Sequence, residues 1–204
     1  GGYAYKTTFL KNITGLWLIQ ESRRQWIREG KQYNFGELEH LAADTKPFKC
    51  FIDPDSEEFI AAGNIPRRIR EFCERTNQEI PRTEGEIVRC INESLALKYR
   101  YTYEQLRECT GKEYASIHMV GGGIQSRLLC QMTANSCNCK VIAGPVEATV
   151  LGNIALQLMA GGVVESLSEA RKIIAKSQDI VYYDPENRAD WDMAYERFKQ
   201  IIQN

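Results

Sequence analysis

Ser116-Ile117-His118-Met119-Val120-Gly121-Gly122-Gly123-Ile124-Gln125-Ser126-Arg127 is the stretch on which the reading of this 204-residue chain turns. A short apolar run fit for a buried strand ends in three consecutive glycines, and a helical pattern begins directly after them. Glycine has no Cβ, so such a turn can take φ > 0 and let a flat or charged ligand approach the backbone. The amides opening the next helix place a positive dipole end nearby. Strand, glycine turn, helix is how α/β proteins commonly build a nucleotide pocket. Alone it is a weak signal. The spacing is not G-x-G-x-x-G, no P-loop lysine follows, and a plain β–α turn accounts for three glycines equally well.

The residues downstream sharpen the reading. Gln131 to Cys139 finishes an amphipathic helix, and Lys140-Val141-Ile142-Ala143 reads as a second short strand. Gly144-Pro145-Val146-Glu147-Ala148-Thr149 turns into a helix that carries Val150, Leu151, Ile154, Ala155, Leu158 and Met159 and stops at Gly161-Gly162. This run, from Val120-Gly121-Gly122-Gly123 through Ala143-Gly144-Pro145-Val146-Glu147-Ala148-Thr149 to Gly152-Asn153, resembles the adenosine-binding segment of the FGGY carbohydrate kinases. The Ala-Gly-Pro-x-Glu-Ala-Thr-x-x-Gly-Asn wording is most similar to the rhamnulokinase branch of that family. Phe9-Leu10-Lys11-Asn12-Ile13-Thr14-Gly15-Leu16-Trp17-Leu18-Ile19-Gln20-Glu21 resembles the segment entering the C-terminal domain of the same branch. The similarity spans nearly the whole chain and is loosest between Tyr33 and Ile80.

The resemblance implies an α/β fold, the helix-rich C-terminal actin-like (ribonuclease H-like) lobe of a sugar kinase with a truncated sheet, over residues 1–204. Such kinases are two-lobed and more than twice this length. The phosphate loop, most of the sugar pocket and the catalytic aspartate are therefore expected in an N-terminal lobe outside this sequence, and no catalytic residue or metal ligand within it. The implied substrates are ATP with Mg²⁺ and a sugar, L-rhamnulose; the implied partner is the chain's own N-terminal lobe. By resemblance Asn12 contacts the sugar, Gln20 lies on the nucleotide side, and Gly122, flanked by Gly121 and Gly123, lies against the adenosine. Another ketose kinase of the family, for fuculose or xylulose, and a non-catalytic actin-like nucleotide-binding module are the alternatives.

Each of these residues also has a plainer reading. Asn12 or Thr14 can cap the helix that follows, Gln20 can be a polar flank residue, and Gly121 and Gly123 can serve the turn itself. Glu147 and Thr149 sit at the start of their helix, where a carboxylate suits the dipole without chemistry. Asp53, Asp55 and Asp179 read as solvated loop carboxylates. His118, between Ile117 and Met119, reads as a hydrogen-bonded structural histidine. Trp17, Trp26, Tyr99, Tyr101 and Tyr103 fall at core-like spacing.

Composition fits an ordinary soluble, cytoplasmic domain. Apolar residues make up 43%, enough for one core, and a formal net charge of −1 shows no bias toward nucleic acid. No stretch approaches the ~20 apolar residues of a membrane span. The seven cysteines lack zinc-type spacing, since Cys137-x-Cys139 has no second pair and His40 and His118 lie far away. Reduced, buried thiols are the expectation. Cys73 and Cys90, on two helices joined through Ile80-Pro81-Arg82, are expected side by side.

The remaining pattern gives a strand over Tyr3–Leu10, a helix whose Leu16, Trp17, Ile19, Gln20, Arg23, Trp26 and Ile27 form an apolar stripe with polar interruptions, and a short helix Phe35–Ala43 capped by Asn34. An irregular connection (Thr45–Asn64) precedes a helix opened by Pro66. A Thr83-x-x-Glu86 capping box starts a long helix to about Cys109, and Ser166-x-x-Glu169 is a second box. A final helix is expected from Asp184-Pro185 to Ile202. The connections give no reason to divide the chain.

Overall fold

A computed structural model describes residues 8–203. In chain order these form α1 (Trp17–Arg28), α2 (Phe35–Ala43), a 3₁₀ turn (Glu57–Phe59), α3 (Ile65–Arg75), α4 (Glu84–Thr110), β1 (Ser116–Met119), a second 3₁₀ turn (Gly122–Gln125), α5 (Arg127–Cys137), β2 (Lys140–Ala143), α6 (Ala148–Ala160), α7 (Leu167–Ser177), β3 (Val181–Tyr183) and α8 (Arg188–Ile202). The strand expected over Tyr3–Leu10 falls at 3–7 outside the described residues; 8–10 have no regular structure. Contacts gather the chain into two compact units, one of residues up to 113 with 189 onward, the other of residues 114–188.

The first unit is helical. Its starts are written locally: Asn34 and Glu37 form a complete capping box on α2, and Thr83 and Glu86 form one on α4. Pro66 sits in the first turn of α3, where it costs no hydrogen bond, and Asn64 accepts from the Arg67 N–H. At 27 residues α4 is about 40 Å long. Its first half, from Gly85 to Lys98, is the spine of the core, burying Ile87, Ile91 and Leu95. Against it lie α2, α3 and the connection after α2, which inserts Phe51, Ile52 and Phe59 at 0% exposure. Each such apolar side chain contributes about 1.5–3 kcal/mol of burial. The α8 helix closes this unit: Phe198 meets Phe51 edge-on at 6.4 Å, Trp191 meets Phe48 at 4.9 Å, and Arg100 bridges to Asp192 at 2.7 Å.

In the second unit β1 and β2 pair in parallel, with Ile117 opposite Val141 and Met119 opposite Ala143. The α5 helix is the crossover between them, packing Cys130 and Ala134 on Val141 and Ala143. The edge strand β3 runs antiparallel to β2, so the sheet order is β1-β2-β3. Helices α6 and α7 pack on one another through Ala155, Val164 and Ala170.

Four expectations are corrected here. The last helix starts at Arg188, not at Asp184-Pro185, because Val181–Tyr183 is taken into the sheet and Asn187 turns the chain at φ 51°. Neither Asn12 nor Thr14 caps α1, which begins at Trp17 behind Leu16 with no side-chain cap. The helix expected directly after the glycines begins only at Arg127. The 3₁₀ turn intervenes, and Ser126 caps α5 through the Leu129 N–H. On α7, Ser166 accepts from the Glu169 N–H, but the Glu169 carboxylate reaches back one residue further than a capping box requires, to the Glu165 N–H.

Candidate functional site

The strand ends of the second unit carry the first group of candidate residues. After β1 the chain reaches Gly121 at φ 82°, a conformation that favours glycine, and turns through Gly122 and Gly123. After β2 it reaches Gly144 at φ 133°, followed by a cis Gly144-Pro145 bond. The two turns are stitched together: the Gly144 N–H donates to Met119 O at 2.9 Å, and the Gly121 N–H donates to Pro145 O at 3.1 Å. A Cβ on Gly144 would press on Ile180 Cδ1 at 2.8 Å and Asp179 O at 3.0 Å, so this glycine serves close packing. A Cβ on Gly121 or Gly122 would meet nothing within 4 Å. The conformational demand thus rests on Gly121. Gly122, exposed and without positive φ, needs to be glycine for neither fold nor packing.

Apolar side chains flank this bare surface. Val120, next to Gly121, is 52% exposed, and Val146, next to Pro145, is 38% exposed. Pattern reading passed over both as ordinary strand and turn residues; their place beside glycines that end two parallel strands was the available signal. Glu147 stands at the N-cap of α6 without capping it, and Thr149 is exposed in the first turn. His118 is exposed on β1, with its Nε2 3.4 Å from Ser116 Oγ, a hydrogen-bonded residue of the sheet surface. Asp179 is exposed, in line with a solvated loop.

The first unit holds the second group. Asn12 is exposed in the segment leading into α1, and Gln20 is exposed on α1. With the capping role gone, Asn12 has no structural duty at the helix start. The segment is pinned two residues on, where the Thr14 N–H donates to Asp55 Oδ1 at 2.9 Å. Asp55 is not a solvated carboxylate, and neither is Asp53: both pair with the buried Lys98 Nζ on α4, at 3.2 and 2.8 Å. Burial pushes the Lys98 ammonium toward its neutral form, but the two carboxylates more than offset this and hold its pKa above the ordinary lysine value. A lysine in the otherwise apolar run Leu95-Ala96-Leu97-Lys98 was the sign that a buried counter-charge had to exist.

Cys73 and Cys90 do lie side by side, as expected, but with a third partner. The sulfurs of Cys50, Cys73 and Cys90 are all within 4.8 Å of one another. All three residues are free, buried thiols. Hydrogen bonding from Cys50, then Cys90, draws the Cys73 thiol down to about 4, while the same contacts push Cys50 and Cys90 up.

Residues 1–161 match the family described as "FGGY family of carbohydrate kinases, C-terminal domain". The chain belongs to the FGGY family of carbohydrate kinases. It is 38% identical to a rhamnulokinase of Bacteroides thetaiotaomicron over 202 residues, 99% of this chain and 41% of that protein. It is 39% identical to a rhamnulokinase of Lactiplantibacillus plantarum, over 96% of this chain and 40% of that protein. The chain therefore spans about two fifths of the length of these relatives. Among solved structures, Plasmodium falciparum glycerol kinase with ADP superposes with a TM-score of 0.64 at 14% identity, covering 89% of this chain and 36% of that one. Gluconate kinase from Lactobacillus acidophilus gives 0.62 at 15%, covering 93% and 38%. The fold is thus that of the C-terminal actin-like lobe of the FGGY sugar kinases. Among the described residues no helix is long and apolar enough to cross a membrane.

Proposed function

We propose that this chain is the nucleotide-side lobe, residues 1–204 forming one C-terminal domain, of a cytoplasmic rhamnulokinase that transfers the γ-phosphoryl group of ATP to L-rhamnulose. The observation that carries the reading is the side-chain-free surface over Gly121 and Gly122 between exposed Val120 and Val146. A flat, apolar adenine face fits a bare backbone turn with aliphatic flanks, where any Cβ would fill the space. Gln20 offers an amide to phosphate or ribose oxygens, and Asn12 offers one to the sugar.

In this scheme the 1-hydroxyl oxygen of L-rhamnulose attacks the γ-phosphorus. Its proton passes to an aspartate of the N-terminal lobe, and ADP leaves, giving L-rhamnulose 1-phosphate. Mg²⁺ would neutralise the phosphates, and positioning supplies most of the acceleration. This chain's share is to bind and orient. The Lys98–Asp55–Thr14 chain fixes the backbone two residues beyond Asn12, so the sugar contact hangs on a buried ion pair rather than on a loose terminus.

A coupled ADP-release assay on the full-length protein tests the reading. The expected result is a kcat/KM for L-rhamnulose well above those for L-fuculose and D-xylulose. Preference for either of these assigns the chain to another branch of the family; no transfer to any ketose makes it a binding module.

A further inference from the structure

A cleft of about 410 Å³ opens in the first unit between the connection after α2, the link from α3 to α4 and the last turns of α8. None of Asn12, Gln20 and Gly121–Gly123 lines it. Lys46, Lys49 and Arg197 bring cations to its wall, against the single carboxylate of Glu79. We propose that this cleft is a binding site for a small phosphate monoester, such as a sugar phosphate, held through Lys46, Asn77 and Arg197.

The charges on the wall do not cancel. Lys49 is bridged by Glu79 at 3.1 Å and by Glu86 at 2.7 Å, so the one lining carboxylate is already matched. Lys46 and Arg197 have no carboxylate within ion-pair distance among the described residues. The Arg197 guanidinium is oriented in advance: one N–H donates to Phe48 O at 2.9 Å, and the Phe51 ring covers one face at 5.0 Å. Its other N–H donors stay available, in a planar fork that suits phosphate oxygens. Asn77 turns the link at φ 54°, and its side-chain amide has no hydrogen-bond partner among the described residues. Two uncancelled cations and a neutral donor match a doubly charged phosphate, whereas a monocarboxylate would leave one cation unpaired. Phe48 and Ile201 offer apolar surface to the organic part of an ester. The volume falls near the low end of the about 300–1,000 Å³ usual for ligand pockets, which points to a small metabolite.

A second observation singles out the same wall. Phe48 has φ 58°, a left-handed conformation that a bulky side chain rarely takes. The fold secures it from both sides. Its N–H donates to the two carboxylate oxygens of Glu93 at 2.9 and 3.1 Å, and its carbonyl accepts from Arg197. Glu93 is buried and paired with Arg89 at 2.8 Å, so the clamp is rooted in the core. The Phe48 ring meets Trp191 edge-on at 4.9 Å, which fixes the side chain as well. Strained backbone of this kind persists where its surroundings over-determine it, and it concentrates at ligand sites. Its effect here is to set the Phe48 carbonyl where it holds Arg197 in the cleft.

The test uses full-length protein saturated with a non-hydrolysable ATP analogue and Mg²⁺, titrated calorimetrically with D-glucose 6-phosphate. Saturable binding at about one site per chain is expected. Its Kd should rise roughly tenfold in Lys46→Ala and in Arg197→Gln, each of which removes a charge-assisted contact. Lys112→Ala, which takes the same charge from an exposed position elsewhere in this unit, should leave it unchanged. Because Arg197 also supports Phe48, its variant can loosen the wall, so wild-type protein provides a second readout. Bound ligand should slow acetylation of Lys46, followed by mass spectrometry, and leave Lys112 unaffected. No saturable binding, a Kd indifferent to Lys46→Ala, or equal acetylation of Lys46 with and without ligand would overturn the proposal. Inorganic phosphate binding as tightly as the ester, or citrate doing so, would overturn the assignment to a phosphate monoester.

Discussion

Two glycine-to-alanine changes should move stability in opposite directions. Gly85 lies buried in the first turn of α4, against α2. A Cβ there would stand 2.4 Å from the Leu41 carbonyl oxygen, 2.7 Å from its carbon and 3.1 Å from its Cβ. Two of these atoms are backbone, so no rotamer relieves the clash; α2 itself must retreat by close to an ångström. Overpacking of this kind costs about 1–3 kcal/mol. Against it stands the helix preference for alanine, about 1 kcal/mol in a helix interior and less at an end. The clash wins, leaving Gly85→Ala destabilised by about 1–2 kcal/mol. Gly152, inside α6, would meet nothing within 4 Å, so Gly152→Ala keeps only the propensity gain of about 0.5–1 kcal/mol. At about 2–4 °C per kcal/mol for a domain of this size, thermal unfolding should show Gly85→Ala lower by roughly 4 °C and Gly152→Ala raised by 1–3 °C. Gly85→Ala melting at or above the wild-type temperature would refute the reasoning, because it would mean α2 and α4 are not in backbone contact at Gly85.

Lys98→Met should cost about 2 kcal/mol. That lies between an exposed and a fully buried pair, since Asp53 and Asp55 keep 21% and 23% exposure. It should also raise the sugar KM by loosening the Thr14 anchor, which denaturation and steady-state kinetics would read. The raised Lys98 pKa makes its stabilisation fully present below the unfolded value of about 10.4 and lost as pH rises through the higher folded value. Wild-type protein should accordingly lose stability above that pH more steeply than Lys98→Met. Residues 1–204 alone, incubated with ATP, Mg²⁺ and L-rhamnulose, should release no sugar-dependent ADP, because phosphoryl transfer needs γ-phosphate, metal and hydroxyl aligned together. Turnover abolished by replacing a carboxylate of this chain would contradict that.

The parts of the fold written in short-range chemistry were legible in the sequence. The Asn34 and Thr83 capping boxes, Pro66 and the glycine-bounded α6 fixed helix starts and stops to within a residue or two. What long-range contact decides was not. Asp53 and Asp55 looked like solvated loop residues because their partner, Lys98, lies more than forty positions away. Cys50 escaped pairing with Cys73 and Cys90 because the irregular connection that carries it has no period to follow. Val181–Tyr183, a three-residue edge strand, leaves too short a pattern to separate from the start of α8. At the glycine turn the residue types were readable but their division of labour was not. Only the backbone angles show that Gly121 carries the positive φ while Gly122 merely leaves space.

That division of labour makes Gly122→Val in the full-length kinase the most direct test of the central claim. Valine at this position strains no positive φ and meets no protein atom within 4 Å of its Cβ, so the enzyme should fold and melt as wild type. Its side chain would instead fill the space assigned to the adenosine. The account predicts an ATP KM raised roughly tenfold or more, a loss of at least about 1.4 kcal/mol of binding, with the L-rhamnulose KM little changed. A folded Gly122→Val enzyme with an unaltered ATP KM would take this turn out of the nucleotide site.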